Sequence, residues 1–449
     1  MDFLKEYQQK KTTAEKAVQM VENGQWIDFG FGTNQPIALD KALAKRFIEE
    51  PELENIHFRG GLALWRPEVC NIPNASERIS WNSWHTSGIE RKMIDEGLCF
   101  YNILRYSEMP RYYLDHIQHV DINMIQVSPM DKHGYFYFGL TNSHMQAVCQ
   151  VSKHVIVEVN ENMPVIAGGF GEKIHISDVS MIVEGDNPPI ATLGSATPKD
   201  VDIAVAKLIV PQLKNGDCLQ LGIGAMANSI GNMIAESDLK DLGIHSEMYV
   251  DSFIDMVEAG RITGKYKNID RGREVFTFAA GSQRMYDYMH QNLSVMSAPV
   301  DYVNSVEVMS SIDNFVSINN AIEIDLFGQV VSESVGTRHI SGAGGALDFV
   351  LGAYLSKGGR SFICFSSTLT GKDGQLKSRI RPTITPGGII TATRANVHYV
   401  ATEYGIACLK GTSTWQRAER LIELAHPNFR EELIQEAEKL HIWRASNKR

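Results

Sequence analysis

A chain of 449 residues with 43% apolar content is long enough for two or three ordinary domains, so neither disulfide nor metal staples are needed. Its 53 Asp+Glu against 43 Lys+Arg give a formal charge of −10, which excludes a nucleic-acid or anionic-membrane surface as the default partner. No apolar run approaches the roughly eighteen residues of a membrane span, and the polar start MDFLKEYQQKK has no signal-peptide core. Six dispersed cysteines without a CxxC read as reduced thiols of a cytosolic enzyme.

In chain order, TTAEKAVQMVE (12–22) predicts a helix that ends at Asn23-Gly24, a common helix C-terminal signal. A short strand and a glycine turn follow in NGQWIDFGFG (23–32). The aromatic patch WNSWHTSG (81–88) reads as core, with an acyl pocket as the other option. His116 and His119 form an HxxH without the glutamate and further ligand of a zinc site, so no metal is expected. VIVEV (155–159) is a strand, and EGDNPPIATLGSATPKD (184–200) is a proline-rich linker. The division expected is residues 1–190 and 191–449, the second domain carrying the catalytic chemistry.

The second half repeats the first. VAKLIVPQLK (205–214) predicts a helix ending at Asn215-Gly216, and NGDCLQLGIG (215–224) matches NGQWIDFGFG at an offset of 192. Gly30/Gly222 and Gly32/Gly224 coincide, while Ile27/Leu219 and Phe29/Leu221 keep their apolar class. INMIQVSPMDKHGYFYFG (122–139) echoes INNAIEIDLFGQVVSESVG (318–336) with a four-residue gap. Two matched features in one order predict a duplicated α/β domain. Short apolar runs at 315–319, 361–365 and 397–402 alternate with helical patterns, which predicts mostly parallel sheets. Residues 414–440 predict helix, interrupted at Pro427.

Three features carry chemistry. Gly222, Gly224 and Ala227 satisfy GxGxxA between strand and helix, placing backbone N–H groups where a phosphate could sit; a plain tight turn has the same spelling. Glu247, 25 residues after Gly222, suits two chemistries. In a dinucleotide fold it would meet a ribose, although DLGIHSEMYVDSF looks too mixed for a clean strand. Flanked by His245 and Ser246, it could instead be a carboxylate nucleophile toward an activated acyl group, given fixed N–H donors and exclusion of water. SGAGGALDF (341–349) permits close backbone approach to a ligand, or merely a buried chain crossing. Lys357, Arg360, Lys372, Arg379 and Arg381 concentrate positive charge after it. Neither a GxxxxGK[ST] loop nor a GxSxG elbow occurs.

With GIGAM, GIHSEM and SGAGGALDF in this order, then VATEYGIACLKG (400–411) and RAERLIELAHPNF (417–429), the chain resembles the acetyl-CoA hydrolase/transferase family, which includes the 4-hydroxybutyrate CoA-transferases. WNSWHTSGIERKMI (81–94), RYSEMPRYY (105–113), GGALDFVLGAYLSKGG (344–359) and HIWR (441–444) carry a closer likeness to its butyryl-CoA:acetate branch. The resemblance implies two similar open α/β domains with the active site between them. It implies transfer of CoA from a short-chain acyl-CoA to acetate through an acyl-glutamyl anhydride and a glutamyl-CoA thioester. By the same resemblance Glu247 is the nucleophile, Gly222, Ile223, Gly224, Ala225 and Met226 bind CoA, and Gly345 and Ile322 contact it. No metal or other cofactor is implied, the CoA thioester and carboxylate being substrates, and the family forms homo-oligomers. An acyl-CoA hydrolase, or a transferase for 4-hydroxybutyrate or propionate, uses the same chemistry. An NAD-dependent oxidoreductase is the alternative of another class.

Overall fold

The computed structural model describes residues 2–117, 120–194 and 196–447. The chain divides into two compact units, Met1–Gly194 with Val275–Val303, and Ser195–Glu274 with Asn304–Arg449. In the first unit the sheet strands are β1 (Trp26–Asp28), β2 (Ile56–Gly60), β3 (Ile79–Ser83), β4 (Cys99–Tyr101), β5 (Val120–Val127), β6 (Ser152–Val159) and β7 (Met181–Glu184). They lie in the order β7-β6-β5-β1-β2-β3-β4, with the short strand Lys11–Thr12 beyond β7 and every pairing parallel. Parallel sheets are covered on both faces, which is why β5 is buried almost throughout. Leu39, Leu43 and Phe47, four residues apart on helix α1 (Ala38–Glu49), pack with Ile27, Phe29, Phe58 and Trp81 of the strands.

The aromatic patch at 81–88 belongs to this interior. Trp81 Nε1 donates to Glu90 Oε1 at 3.1 Å and Trp84 Nε1 to the Tyr113 hydroxyl at 3.0 Å, so both indoles bury their apolar area with the polar N–H satisfied.

The second unit contains β8 (Cys218–Leu221), β9 (Gly243–Tyr249), β10 (Phe315–Asn320), β11 (Arg360–Cys364), β12 (Tyr399–Thr402) and β13 (Gly405–Cys408). Their order is β9-β8-β10-β11-β12-β13, parallel except for the final antiparallel pair. Helix α2 (Ala225–Glu236) follows the glycine turn after β8, and α3 (Ala346–Leu355) follows the 341–345 loop. The C-terminal helices, α4 (Thr414–Leu424) and α5 (Pro427–Lys439), break at Pro427, which is tolerated at the first turn of α5 because its missing N–H has no intrahelical role there. Among the described residues no helix is long and apolar enough to cross a membrane.

The repeat holds at atomic detail. Strand order β2-β1-β5-β6-β7 corresponds to β9-β8-β10-β11-β12. Ile27 faces Phe58 and Ile122, and Leu219 faces Ile244 and Val316. Gly24 and Gly216 take the left-handed φ values +81° and +82°, and Asn23 and Asn215 each accept a backbone N–H, from Glu54 at 3.0 Å and Lys240 at 2.8 Å. The second echo needs a correction. Ile122 corresponds to Val316, not Ile318, so the sequence match paired the right strands two residues out of register. A two-residue slip keeps every side chain on its face, which is why the pattern looked sound.

Candidate active site

Alternation along β9 puts Gly243, His245, Glu247 and Tyr249 on one face. That face lies under α3: His245 packs edge-on to Phe315, ring centroids 5.9 Å apart, and Phe315 stacks on Phe349 of α3 at 6.1 Å. Glu247 consequently meets the start of α3. Its Oε2 accepts a 2.6 Å hydrogen bond from Asn304 Nδ2, and the Gly345 backbone N–H, at the N-cap of α3, also donates to the carboxylate. A Cβ at position 345 would stand 2.1 Å from Glu247 Oε2 and 2.2 Å from Asn304 Nδ2. Only glycine fits there, for reasons of space, since its φ of −96° suits any residue.

Burial pushes the Glu247 carboxyl up to about 7, and the negative charge of Asp348 in the first turn of α3 pushes the same way. The Asn304 and Gly345 donors pull against this and lose. The outcome is a carboxylate more basic than usual that already accepts from two donors. Ser246 takes no part, as alternation turns it to the opposite face, where its hydroxyl donates to the Met248 carbonyl at 2.8 Å. The expectation of an untidy segment around Glu247 also fails: Gly243–Tyr249 is a seven-residue strand.

The glycine turn occupies the carboxyl end of the neighbouring strand β8, the end at which open parallel sheets take ligands. The Gly222 N–H closes the ladder on the Ile318 carbonyl at 2.9 Å. Ile223 is 48% exposed and Gly224 is exposed, with φ +101° as the N-cap of α2, where no side chain caps the helix. Ala225 is half-buried and the Met226 side chain is buried, so Met226 can offer a ligand only its backbone. Ile322, just past β10, is half-buried. Its N–H donates to the Val331 carbonyl at 2.7 Å, and its carbonyl accepts from Arg379 Nε at 2.8 Å. Glu247, the 222–226 turn and Ile322 therefore cluster at the carboxyl ends of adjacent strands β9, β8 and β10, and Gly345 touches Glu247.

The basic residues behave differently from the charge pattern. Arg360 begins β11 and pairs with Asp217, the residue before β8, so it sits at the opposite end of the sheet from Glu247. Lys357 lies at that same end, 3.9 Å from Asp313. Arg379 is committed to the carbonyls of Ala321 and Ile322 and to the Ser366 hydroxyl, and burial brings its guanidinium down to about 10. Arg381 stands 3.7 Å from Glu323, and Lys372 is exposed in the turn between strands Thr368–Thr370 and Leu376–Ser378. His119 lies outside the described residues, His116 packs on Tyr112, and among the described residues no group of three His, Cys, Asp or Glu side chains could hold a metal ion. Asn304 escaped the sequence reading because no local motif marks a residue 57 positions from its partner; Asp348 stood inside the SGAGGALDF loop unremarked.

Position alone leaves Glu247 suited to a ribose as well as to an acyl group, since it lies near the end of the strand beside the glycine turn. Comparison with known sequences gives the family. Residues 1–194 match the acetyl-CoA hydrolase/transferase N-terminal domain and residues 281–437 the acetyl-CoA hydrolase/transferase C-terminal domain. The chain belongs to the acetyl-CoA hydrolase/transferase family. Within that family it is similar to the butyryl-CoA:acetate CoA-transferase of Anaerostipes caccae, 58% identical over 449 residues and covering 100% of both chains. It is also similar to the 4-hydroxybutyrate coenzyme A transferase of Clostridium kluyveri, 38% identical over 98% of this chain and 100% of that one. Among solved structures it resembles RipA from Yersinia pestis, with TM-score 0.90 and 37% identity over 98% of this chain and 100% of that chain. It likewise resembles the 4-hydroxybutyrate CoA-transferase from Porphyromonas gingivalis, with TM-score 0.79 and 30% identity over 98% and 100%.

Proposed function

We propose that the chain is a CoA-transferase that moves CoA from butyryl-CoA to acetate, with Glu247 as the nucleophile and the Gly222–Met226 turn holding CoA. The observation that carries this is a partly accessible carboxylate, raised by burial, that accepts from both Asn304 and the Gly345 N–H. Glu247 attacks the thioester carbonyl, the C–S bond breaks, and an acyl-glutamyl anhydride and CoA thiolate result. The thiolate then attacks the glutamyl carbonyl and expels butyrate, leaving a glutamyl-CoA thioester. Acetate reverses both steps and leaves as acetyl-CoA. One thioester replaces another, so the reaction draws on no ATP.

The donors serve the steps at the glutamyl carbon. When thiolate or carboxylate adds there, negative charge grows on a former carboxylate oxygen; Asn304 Nδ2 donates to Oε2 and the Gly345 N–H to the same carboxylate group. One such donor is worth roughly 10²–10³-fold in rate. In the first step the same donors weaken the nucleophile, and the burial and Asp348 charge that lift its pKa offset that cost. The test is to incubate the enzyme with butyryl-CoA alone, trap with borohydride or hydroxylamine, and map the modification. Modification at Glu247, absent in Glu247→Ala, supports the assignment. Full transferase activity in Glu247→Ala refutes it, and equal thiol release without acetate makes the enzyme a hydrolase.

A further inference from the structure

Most of the basic residues after the glycine loop are committed elsewhere. Lys357 and Arg360 stand at the far end of the sheet from Glu247, Arg379 is buried on backbone carbonyls, and Arg381 lies against Glu323. Lys372 differs. It is exposed, follows the carboxyl end of β11, and pairs with no carboxylate among the described residues. It sits in the turn of a hairpin, Thr368–Thr370 against Leu376–Ser378, and Lys377 lies on the second strand. Lys377 Nζ meets Asp373 at 2.9 Å, but the two side chains are 42% and 46% exposed, and such a pair is weak. Register sets Leu369 directly opposite Lys377, so the two share a face, and Leu369 is itself exposed. A cation beside apolar area is what a phosphate joined to a purine needs. The base of the hairpin is held firmly: the Ser367 N–H and hydroxyl donate to Glu403 at 2.8 and 2.6 Å, and the Arg379 N–H donates to the Ser367 carbonyl at 2.8 Å.

The candidate contacts step across the sheet toward this hairpin. Glu247 lies on β9, the 222–226 turn follows β8 and Ile322 follows β10, and β11 is the next strand. Neighbouring strands lie about 4.8 Å apart, so β11 stands roughly 14 Å from β9. The pantetheine arm of CoA, from sulfur to the first phosphate, is built like about four residues of extended chain and spans roughly 14 Å. With the thioester at Glu247 and the arm laid past Ile322, the pyrophosphate arrives where the hairpin begins.

We propose that Lys372 and Lys377 bind the phosphates of the CoA nucleotide, with Leu369 against its adenine. This rests on the reading of Glu247 as the nucleophile toward a CoA thioester, and the experiment separates the two. Values of kcat/KM are measured for butyryl-CoA and for butyryl-N-acetylcysteamine, which lacks the nucleotide, in Lys372→Glu, Lys377→Gln, Asp373→Asn and Lys357→Glu. Lys372→Glu and Lys377→Gln should each lower kcat/KM for butyryl-CoA about ten-fold and leave the truncated thioester untouched. Asp373→Asn frees Lys377 from its competitor and should raise kcat/KM for butyryl-CoA, a sign that damage to the fold would not give. Lys357→Glu, 87% exposed at the other end of the sheet, should change neither value. Equal losses with both thioesters, no loss with butyryl-CoA, or a similar loss in Lys357→Glu overturns the proposal, and an unmoved Asp373→Asn removes Lys377 from it. If the parent uses the two thioesters equally well, no part of the chain reads the nucleotide and the proposal falls. Trapping of Glu247 with the truncated thioester then still reports on the nucleophile by itself.

Discussion

Replacing Gly345 by alanine perturbs the proposed site at the point where Glu247 meets α3. Backbone strain is not the issue, since φ is −96°, and Ala for Gly at an N-cap alters stability by about 1 kcal/mol or less. The added Cβ, however, would lie 2.1 Å from Glu247 Oε2 and 2.2 Å from Asn304 Nδ2, where contacts below 3.0 Å are essentially never seen. Both groups must move, so the Asn304 hydrogen bond of 2.6 Å is broken or lengthened and the Gly345 N–H no longer meets the carboxylate. Loss of one oxyanion donor costs about 3–4 kcal/mol, so kcat should fall about 10³-fold, while overpacking of about 1–3 kcal/mol lowers the melting temperature by several degrees without unfolding the chain at assay temperature. Steady-state transfer from butyryl-CoA to acetate, run beside thermal unfolding, reads both quantities. A Gly345→Ala enzyme that keeps its kcat, or that loses activity only by unfolding, would show that these donors do not serve the reaction.

Further expectations follow from the same site. Glu247→Asp draws the carboxylate back by one methylene and should lose about 10²-fold in kcat/KM, since misplacement by about 1 Å costs that much; activity near the parent level contradicts in-line attack. Because the reactive form is the carboxylate and its pKa stands at about 7, kcat/KM should climb with pH up to that point and then level. Asp348→Asn removes a charge that raises the Glu247 pKa, so the midpoint should move to lower pH; an unmoved midpoint removes Asp348 from the account. Burial pushes Asp40, which accepts the Glu68 and Val69 N–H groups, up to about 7. A group raised on folding stabilises below its unfolded pKa and loses that contribution as pH rises through its folded value. The stability of the parent relative to Asp40→Asn should therefore fall between about pH 4 and 8, and a flat difference in calorimetry counts against it.

The strands and the repeat were legible because each rests on local pattern. Asn-Gly needs left-handed backbone at 24 and 216, and paired apolar residues such as Ile27 and Leu219 mark strands covered on both faces. The long-range geometry was not. Asn304 meets Glu247 only because the fold brings them together across 57 residues. The basic residues after the glycine loop divide on the same ground. Arg360 immediately precedes the apolar run SFICF, so it had to begin that strand, and residues beginning parallel strands sit at the end away from the ligand side. That rule is available from sequence and places Arg360 away from the ligand side. Arg379 carried no such mark, since its burial against the Ala321 and Ile322 carbonyls depends on a strand crossover.

The duplicated units also differ in what meets the backbone donors at their helix starts. In the first unit, the N–H groups of Ile37, Ala38 and Leu39 at the start of α1 all donate to the carboxylate of Glu158, at 3.0–3.1 Å. Glu158 is buried on β6 and occupies the place an incoming phosphate would take, with the helix dipole favouring its charge. Register pairs Ile122 with His154 and Val316 with Arg360, so Glu158 corresponds to Cys364 on β11. Cys364 offers no carboxylate, and α2 starts earlier in the repeat than α1, at the exposed Gly224, the counterpart of Gly32, with no side-chain cap. One unit has answered its helix start internally and closed it. In the proposed reading the other leaves backbone donors for CoA, which would let a chain of charge −10 bind an anionic substrate without an extended basic surface.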